Sequence, residues 1–406
     1  MPRACSSPGS PAPEGPEMLP IRIMLVAGEP SGDVLGAHLM RSLKKLAGER
    51  VEIVGVGGDA MAAAGLESLF PMDELSVMGL FEILPRAPAI LRRLRETEAF
   101  ARAKRPHVLL TIDSPGFNKR LARRLQDLDT IRIHYVAPSV WAYRPKRAVT
   151  TAALYDHLLT LLPFEPPLFE KEGLAATFVG HPAVEAENAY QGDMRAFRAA
   201  QGLSPHVPAL AVLFGSRRGE VRRLGPVFVD ALRRLAERVP AAHVLAPTLP
   251  HLQAEVDRML ARQPLPYTVL GQAGKMDCFH AADSALAASG TVALELALAG
   301  TPAVVAYRMN ALTAALARRL IRIPYASLVN ILMDKPVVPE LIQGNCTAGA
   351  IAGALQRIMT DPVARDAQIE AGRTVAMMLK PGALWPSDKA ARVVLNLAET
   401  NREKDA

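Results

Sequence analysis

The sequence predicts an α/β fold made of two Rossmann-like, doubly wound parallel-sheet domains. Three observations carry that reading: strand-like apolar runs alternate with longer amphipathic stretches, the alternation restarts near Pro208, and several runs end in short polar turns rich in glycine. At 406 residues the chain also exceeds what one hydrophobic core usually organises.

In order, the first half offers strands at Ile21 to Val26, Val51 to Val56, His107 to Ile112, Ile131 to Val136 and His157 to Leu162. Between them, Val34 to Leu46 and Ala89 to Ala103 repeat apolar residues at helical spacing, with basic residues opposite. The second half begins with Ala209 to Phe214 and a helix from about Glu220 to Val239. Strands follow at His243 to Ala246, Tyr267 to Leu270, Ser284 to Ala288 and Ala303 to Tyr307. The expected division is a disordered tail over 1–19, a first Rossmann-like domain over 20–190 and a second over 191–406, with the terminal helices packing back on the first domain. The tail is rich in Pro, Ser and Gly and lacks the apolar region of a signal peptide; Met18 is an alternative start.

Half of the residues are apolar and 21% are charged, which excludes disorder for the whole. Three cysteines without a Cys-x-x-Cys pair exclude a disulfide framework and point to a reducing compartment. The apolar stretch from Ala285 to Tyr307 is broken by Ser289-Gly290-Thr291, Glu295 and Pro302, so no membrane span is expected. The net charge of +7 suits an anionic partner: nucleic acid, an acidic membrane surface or a phosphorylated substrate. Nucleic acid is the weakest of these, since no RNP-like or helix-turn-helix signature is present. Neither a cofactor nor a metal is expected, because the nine histidines do not cluster at ligand spacing.

In open parallel sheets ligands bind beyond the carboxyl ends of strands, so the turns there matter most. Ala27 to Asp33 reads as a substrate loop in which Ser31 can cap the next helix; an ordinary capped turn is the alternative. Asp113-Ser114-Pro115-Gly116-Phe117-Asn118 places a carboxylate at a strand end, and Asp113 is the candidate general base, against a plain turn or cap. Trp141, in an aromatic loop running into Arg144-Pro145-Lys146-Arg147, either stacks on substrate or packs at the domain edge, while the cations suit phosphate. Gly215-Ser216-Arg217 opens a helix where a diphosphate could be held, the alternative for Arg217 being an ion pair with Glu220. Ser289, Thr291 and Glu295 repeat the arrangement, and Glu295 in an otherwise apolar helix suits ribose hydroxyls. His38 and His181 read as structural.

Ala27 to Asp33, Gly55 to Gly58, Val77 to Glu82, Asp113 to Asn118, Pro138 to Ala142, Leu162 to Glu165 and Gly180 to Pro182, followed by Gly215 to Arg217, Ala288 to Glu295, Val304 to Arg308, Leu328 to Leu332 and Pro339 to Gln343, resemble in their order the motifs of the lipid-A-disaccharide synthase family. The resemblance runs from about Ile21 into the last hundred residues. It implies a GT-B fold, two domains facing a cleft, and an inverting transfer that joins UDP-2,3-diacylglucosamine to 2,3-diacylglucosamine 1-phosphate (lipid X). The products would be UDP and the β-1,6-linked disaccharide 1-phosphate of lipid A. It also implies catalytic roles for Asp113 or Glu29, and substrate contacts from Ser31, Asn118, Trp141, Arg217, Ser289, Thr291, Glu295, Asn330, Glu340 and Gln343. The sequence departs from the family at Gly116, where a second Asp is usual, at Val329, usually Pro, and at Tyr143, often Trp.

The acylated substrates that the resemblance implies would place the protein at the inner face of the inner membrane, cytoplasmic and peripheral, without spanning it. Met78, Leu80, Phe81, Ile83 and Leu84 with Arg92, Arg93 and Arg95 are one candidate anionic-membrane contact; Ala315, Leu316, Leu320 and Ile321 with Arg318, Arg319 and Arg322 are another. Whether the chain is a monomer or a homodimer stays open. So do two rival functions: another UDP-sugar enzyme of this architecture, such as an epimerase or an undecaprenyl-linked transferase, and a non-catalytic nucleotide-binding, membrane-associated protein.

Overall fold

A computed structural model describes residues 20–75, 80–288, 290–310 and 323–405. The 1–19 tail, Val77 to Gly79, Ser289 and the whole Ala315 to Arg322 patch lie outside the described residues, as do the side chains of residues 80–86. The chain divides into two compact units, one of Met1–Tyr135, Leu154–His157 and Ala390–Ala406, the other of Val136–Ala153 and Leu158–Lys389.

Among the described residues twelve strands form two six-stranded sheets. The first contains β1 (Ile21–Ala27), β2 (Val51–Val56), β3 (Val108–Ile112), β4 (Ile131–Tyr135), β5 (His157–Thr160) and β6 (Ala175–Phe178), in the order β2-β1-β3-β4-β5-β6. The second contains β7 (Ala209–Leu213), β8 (His243–Pro247), β9 (Tyr267–Leu270), β10 (Ser284–Ala288), β11 (Ala303–Tyr307) and β12 (Glu340–Ile342), in the order β12-β11-β10-β7-β8-β9. Pairing is parallel: Ile23 stands opposite Ile53 on one side and Val108 on the other, and Ala211 opposite Ala285 and Leu245.

Parallel strands are covered on both faces, so their sequences are apolar throughout instead of alternating. In β7, Leu210 and Val212 enter one buried cluster with Phe228, Leu232 and Leu286, while Ala209, Ala211 and Leu213 enter a second with Phe279 and Leu296. The helix Arg218–Ala236 covers the first face because Val221, Leu224, Phe228, Leu232 and Leu235 recur at helical spacing and are all buried. In the first sheet Met24, Val26 and Leu109 pack on Leu94, Phe117 and Leu121. Each such fully buried side chain contributes roughly 1.5–3 kcal/mol relative to exposure.

Order fixes where ligands bind. From β1 the chain steps to β2 on one side and returns to β3 on the other; from β7 it steps out through β8 and β9 and returns to β10. The crevices between the carboxyl ends of β1 and β3, and of β7 and β10, are the switch points at which such sheets take ligands.

Candidate active site

At the first switch point the turns after β1 and β3 touch: a Cβ on Gly28 would lie 2.6 Å from Ser114 Oγ, so only glycine fits. Glu29 and Asp113 therefore share one edge. Asp113 and Ser114 both take left-handed backbone, at φ 48° and 43°, a conformation that costs a side-chain-bearing residue energy and turns the carboxylate off the strand. Asn118 holds that turn. It is fully buried, and its Nδ2 donates to the carbonyls of Asp113 at 2.8 Å and Ile112 at 3.1 Å, while its Oδ1 is buried without a hydrogen-bond partner among the described residues. Asp113 is half-buried, and burial raises its carboxyl above the ordinary aspartate value against the opposing N–H of Ser114.

The helix after β1 starts with Pro30 at its first turn and Glu29 at the cap position, so exposed Ser31 lies inside the first turn and does not cap it, contrary to the sequence reading. Buried Asp33 does a different job. It accepts from the backbone N–H groups of Gly58, Ala60 and Met61 at 2.8, 2.8 and 3.0 Å and so fixes the turn after β2.

Trp141 packs edge-on against Phe164, and its Nε1 donates to Glu165 Oε1 at 3.1 Å. The sequence reading gave Glu165 no role, yet it is a 3%-exposed carboxylate that burial lifts to about 7, opposed by donors from Leu162, Trp141 and Leu161. Val136, which starts this loop, has φ 81°, an outlier for a β-branched residue. His181 is half-buried, and desolvation holds its imidazole down to about 4; its Nδ1 accepts from Ala183 N.

At the second switch point a cavity of about 530 Å³ gathers Arg217, Thr291 and Glu295 with Tyr307 of the Val304 to Arg308 motif and two residues that no motif contained, Gln272 and Lys275. Lys275 Nζ lies 2.6 Å from Glu295 Oε2. Glu220 folds back over the turn after β7: it accepts from Arg217 N at 3.4 Å and from Tyr307 Oη at 3.3 Å. Gly215, at φ 107°, leaves the room, since a Cβ there would lie 2.8 Å from Glu220 Oε2. Arg217 is exposed at the mouth. Cations, hydroxyls and a carboxylate at the amino end of the long helix Arg218–Ala236 suit a nucleoside diphosphate.

Asn330 and Glu340 are placed otherwise. Asn330 is fully buried, donating to Val338 O and Glu340 Oε1 at 2.8 Å each, and Glu340 accepts from Ala326 N and Ser327 N at 2.8 Å. The pair braces the helix Leu328–Met333. Gln343 follows β12 at φ 55°, and its Nε2 is buried without a hydrogen-bond partner among the described residues.

Two six-stranded parallel sheets of this connectivity place the protein in the GT-B class. The solved MurG of Acinetobacter baumannii shares the fold at a TM-score of 0.54 and 15% identity, covering 89% of this chain and 99% of that one. The UDP-N-acetylglucosamine 2-epimerase from Neisseria meningitidis shares it at 0.62 and 10%, covering 93% and 100%. Sequence separates these relatives. A model of the family described as lipid-A-disaccharide synthetase matches residues 23–382. The lipid-A-disaccharide synthase of Rhodospirillum centenum is 49% identical over 383 residues, 94% of this chain and 95% of its own. That of Ruegeria pomeroyi is 46% identical over 386 residues, 93% and 95%. The chain belongs to the lipid-A-disaccharide synthase family, and is a glycosyltransferase.

Proposed function

We propose that the protein transfers the 2,3-diacylglucosaminyl group of UDP-2,3-diacylglucosamine to the 6-hydroxyl of 2,3-diacylglucosamine 1-phosphate, giving the β-1,6 disaccharide 1-phosphate and UDP. Family membership supports the substrates. The observation that carries the chemistry is the second-unit cavity, where Arg217 and Lys275 suit the diphosphate and Glu295 the ribose hydroxyls.

The acceptor oxygen bonds to the anomeric carbon as that carbon's bond to the diphosphate oxygen breaks. The hydroxyl proton passes to Asp113, whose raised pKa makes it a better base than an ordinary aspartate, and Glu29 beside it is the alternative. The negative charge that develops on UDP is met by Arg217 and Lys275. One displacement from the face opposite the leaving group inverts the centre. Asn118, Asn330 and Glu340 act by holding backbone, and Trp141 by packing on Phe164.

The enzyme works on the cytoplasmic face of the inner membrane as a peripheral protein. Among the described residues no helix is long and apolar enough to cross a membrane. Of the three arginines expected to meet anionic lipid, Arg92 and Arg95 are exposed. Arg93 is committed instead to Glu74 at 2.5 Å, Glu96 at 2.7 Å and the Phe70 ring. Flotation with anionic vesicles should therefore weaken on reversing Arg92 and Arg95.

Purified protein supplied with both acylated sugars should release UDP and form the disaccharide. An epimerase would instead convert UDP-N-acetylglucosamine alone, and a binding protein would release nothing; either result rejects the assignment.

A further inference from the structure

The chain that leaves β4 at Tyr135 passes through Trp141 into Arg144, Pro145, Lys146 and Arg147, which with Thr150 line a concavity of about 440 Å³. Several other surface arginines are neutralised by carboxylates: Arg102 by Asp127 and Glu98, Arg132 by Asp156, Arg222 by Glu255. Here three cations converge, and none pairs with a carboxylate among the described residues. Like charges gathered in one depression repel unless an anion joins them.

The cluster is also pre-shaped. Arg147 lies over the Tyr143 ring at 5.0 Å and its Nη1 donates to Tyr143 Oη at 2.9 Å, which fixes the guanidinium and leaves other donors of its fork to be used. Arg144 takes left-handed backbone, φ 52°, ahead of Pro145, and its carbonyl accepts from Arg147 N at 3.0 Å, closing a tight turn. Thr150 donates its hydroxyl proton to Arg147 O at 3.0 Å, so donors for a ligand come from the cations. Three converging cations suit a compact group with nearly two negative charges and three acceptor oxygens, a phosphate monoester, better than a carboxylate with one charge.

We propose that Arg144, Lys146 and Arg147 bind the phosphate monoester of the acceptor sugar and so distinguish the phosphorylated acceptor from its dephosphorylated counterpart. The proposal rests on the acceptor assigned above. It gives the acceptor a recognition site separate from the nucleotide cavity.

The test needs no turnover. Equilibrium binding of 2,3-diacylglucosamine 1-phosphate and of the same lipid without phosphate is measured in detergent, on wild type and on Arg144→Gln/Lys146→Gln, with thermal melting as a check on folding. Charge-assisted contacts to phosphate predict a wild-type preference on the order of 30-fold for the phosphorylated lipid. In the variant that preference should fall to about threefold or less. Arg147→Lys, which keeps the charge but loses the fork, should fall between. An undiminished preference in the double variant overturns the proposal while leaving the functional reading standing. Failure of wild type to bind either lipid, with UDP still bound, overturns both. If the double variant loses flotation on phosphatidylglycerol vesicles but keeps its acceptor preference, the cations serve bulk lipid headgroups and the proposal falls.

Discussion

Lys275 Nζ and Glu295 Oε2 stand 2.6 Å apart inside the second-unit cavity, with side chains 22% and 30% exposed. A pair that wet adds at most about 1 kcal/mol to stability, so its consequence is positional: the lysine aims the carboxylate. Lys275→Met should raise KM for the UDP-sugar about 10- to 100-fold while moving Tm by no more than about 3 °C. Initial rates against donor concentration and a melting curve read both. An unchanged KM would remove Lys275 from the nucleotide site.

Asp113 presents the opposite balance between function and stability. Its folded-state pKa lies above the unfolded value because burial disfavours the charge. Its ionisation therefore costs stability above the folded pKa, and the cost vanishes below the unfolded one. Asp113→Asn should lower turnover by a factor of about 10² to 10⁴. It should melt no lower than wild type at pH 8, and the advantage should shrink as the pH falls through the raised pKa. Wild-type kcat/KM should lose activity on its acid side above the ordinary aspartate value. A variant that keeps full turnover would transfer the role of base to Glu29.

Interior strands were legible because a strand buried on both faces is an uninterrupted apolar run: β10 and β11 match their expected limits, and so do the partly buried edge strands β2 and β9, which are rich in β-branched and aromatic residues. β6 and β12 went unread. Ala175–Phe178 opens on two alanines and Glu340–Ile342 has only three residues, so neither carries a strand signature of its own. The helix Leu80–Lys104 begins well before Ala89, through Pro85 and Pro88, which hide its start from a periodicity reading. Asp113, Arg217, Thr291 and Glu295 were findable because each follows a strand or opens a helix. Lys275 reaches the cavity from an element whose local sequence resembles no ligand loop, whereas Tyr307 ends β11 inside the Val304 to Arg308 motif without having been given a role. Asn118 and Asn330 resemble ligand residues in sequence, yet the Nδ2 of each donates to a backbone carbonyl, Asp113 O and Val338 O, which only the folded chain reveals.

Glu165 should set a pH dependence of stability. Its folded pKa of about 7 exceeds the ordinary glutamate value, so between roughly pH 4.5 and 7 the native state holds a proton that the unfolded chain has released. Stability from this group is complete below that window and is lost as pH rises through it, by about 3 kcal/mol for a shift of this size. Glu165→Gln cannot ionise, so the fall in Tm between pH 5 and pH 8 should be smaller in the variant than in wild type. Because Trp141 Nε1 donates to this carboxylate, Trp141 emission, read with Trp385→Phe as background, should shift over the same window. Identical pH profiles for the two proteins would mean that Glu165 does not titrate there.

Glycine is usually a liability inside a helix, by about 1 kcal/mol against alanine, so Gly372 in the helix Pro362–Leu379 looks improvable. Packing reverses the sign. A Cβ on Gly372 would collide with the carbonyl oxygen of Ala297, backbone that cannot swing aside, in the helix that carries Glu295. Overpacking of this kind costs about 1–3 kcal/mol, and relief requires the Val292–Leu298 helix to shift and take Glu295 with it. Gly372→Ala should therefore lower Tm by several degrees and raise KM for the UDP-sugar. Gly353, in the helix Ala348–Thr360, is the control: a Cβ there meets only the mobile end of Arg238 at 3.9 Å. Gly353→Ala should raise Tm by a few degrees with kinetics unchanged. If both substitutions stabilise the protein, the close approach of Gly372 to Ala297 does not constrain the fold.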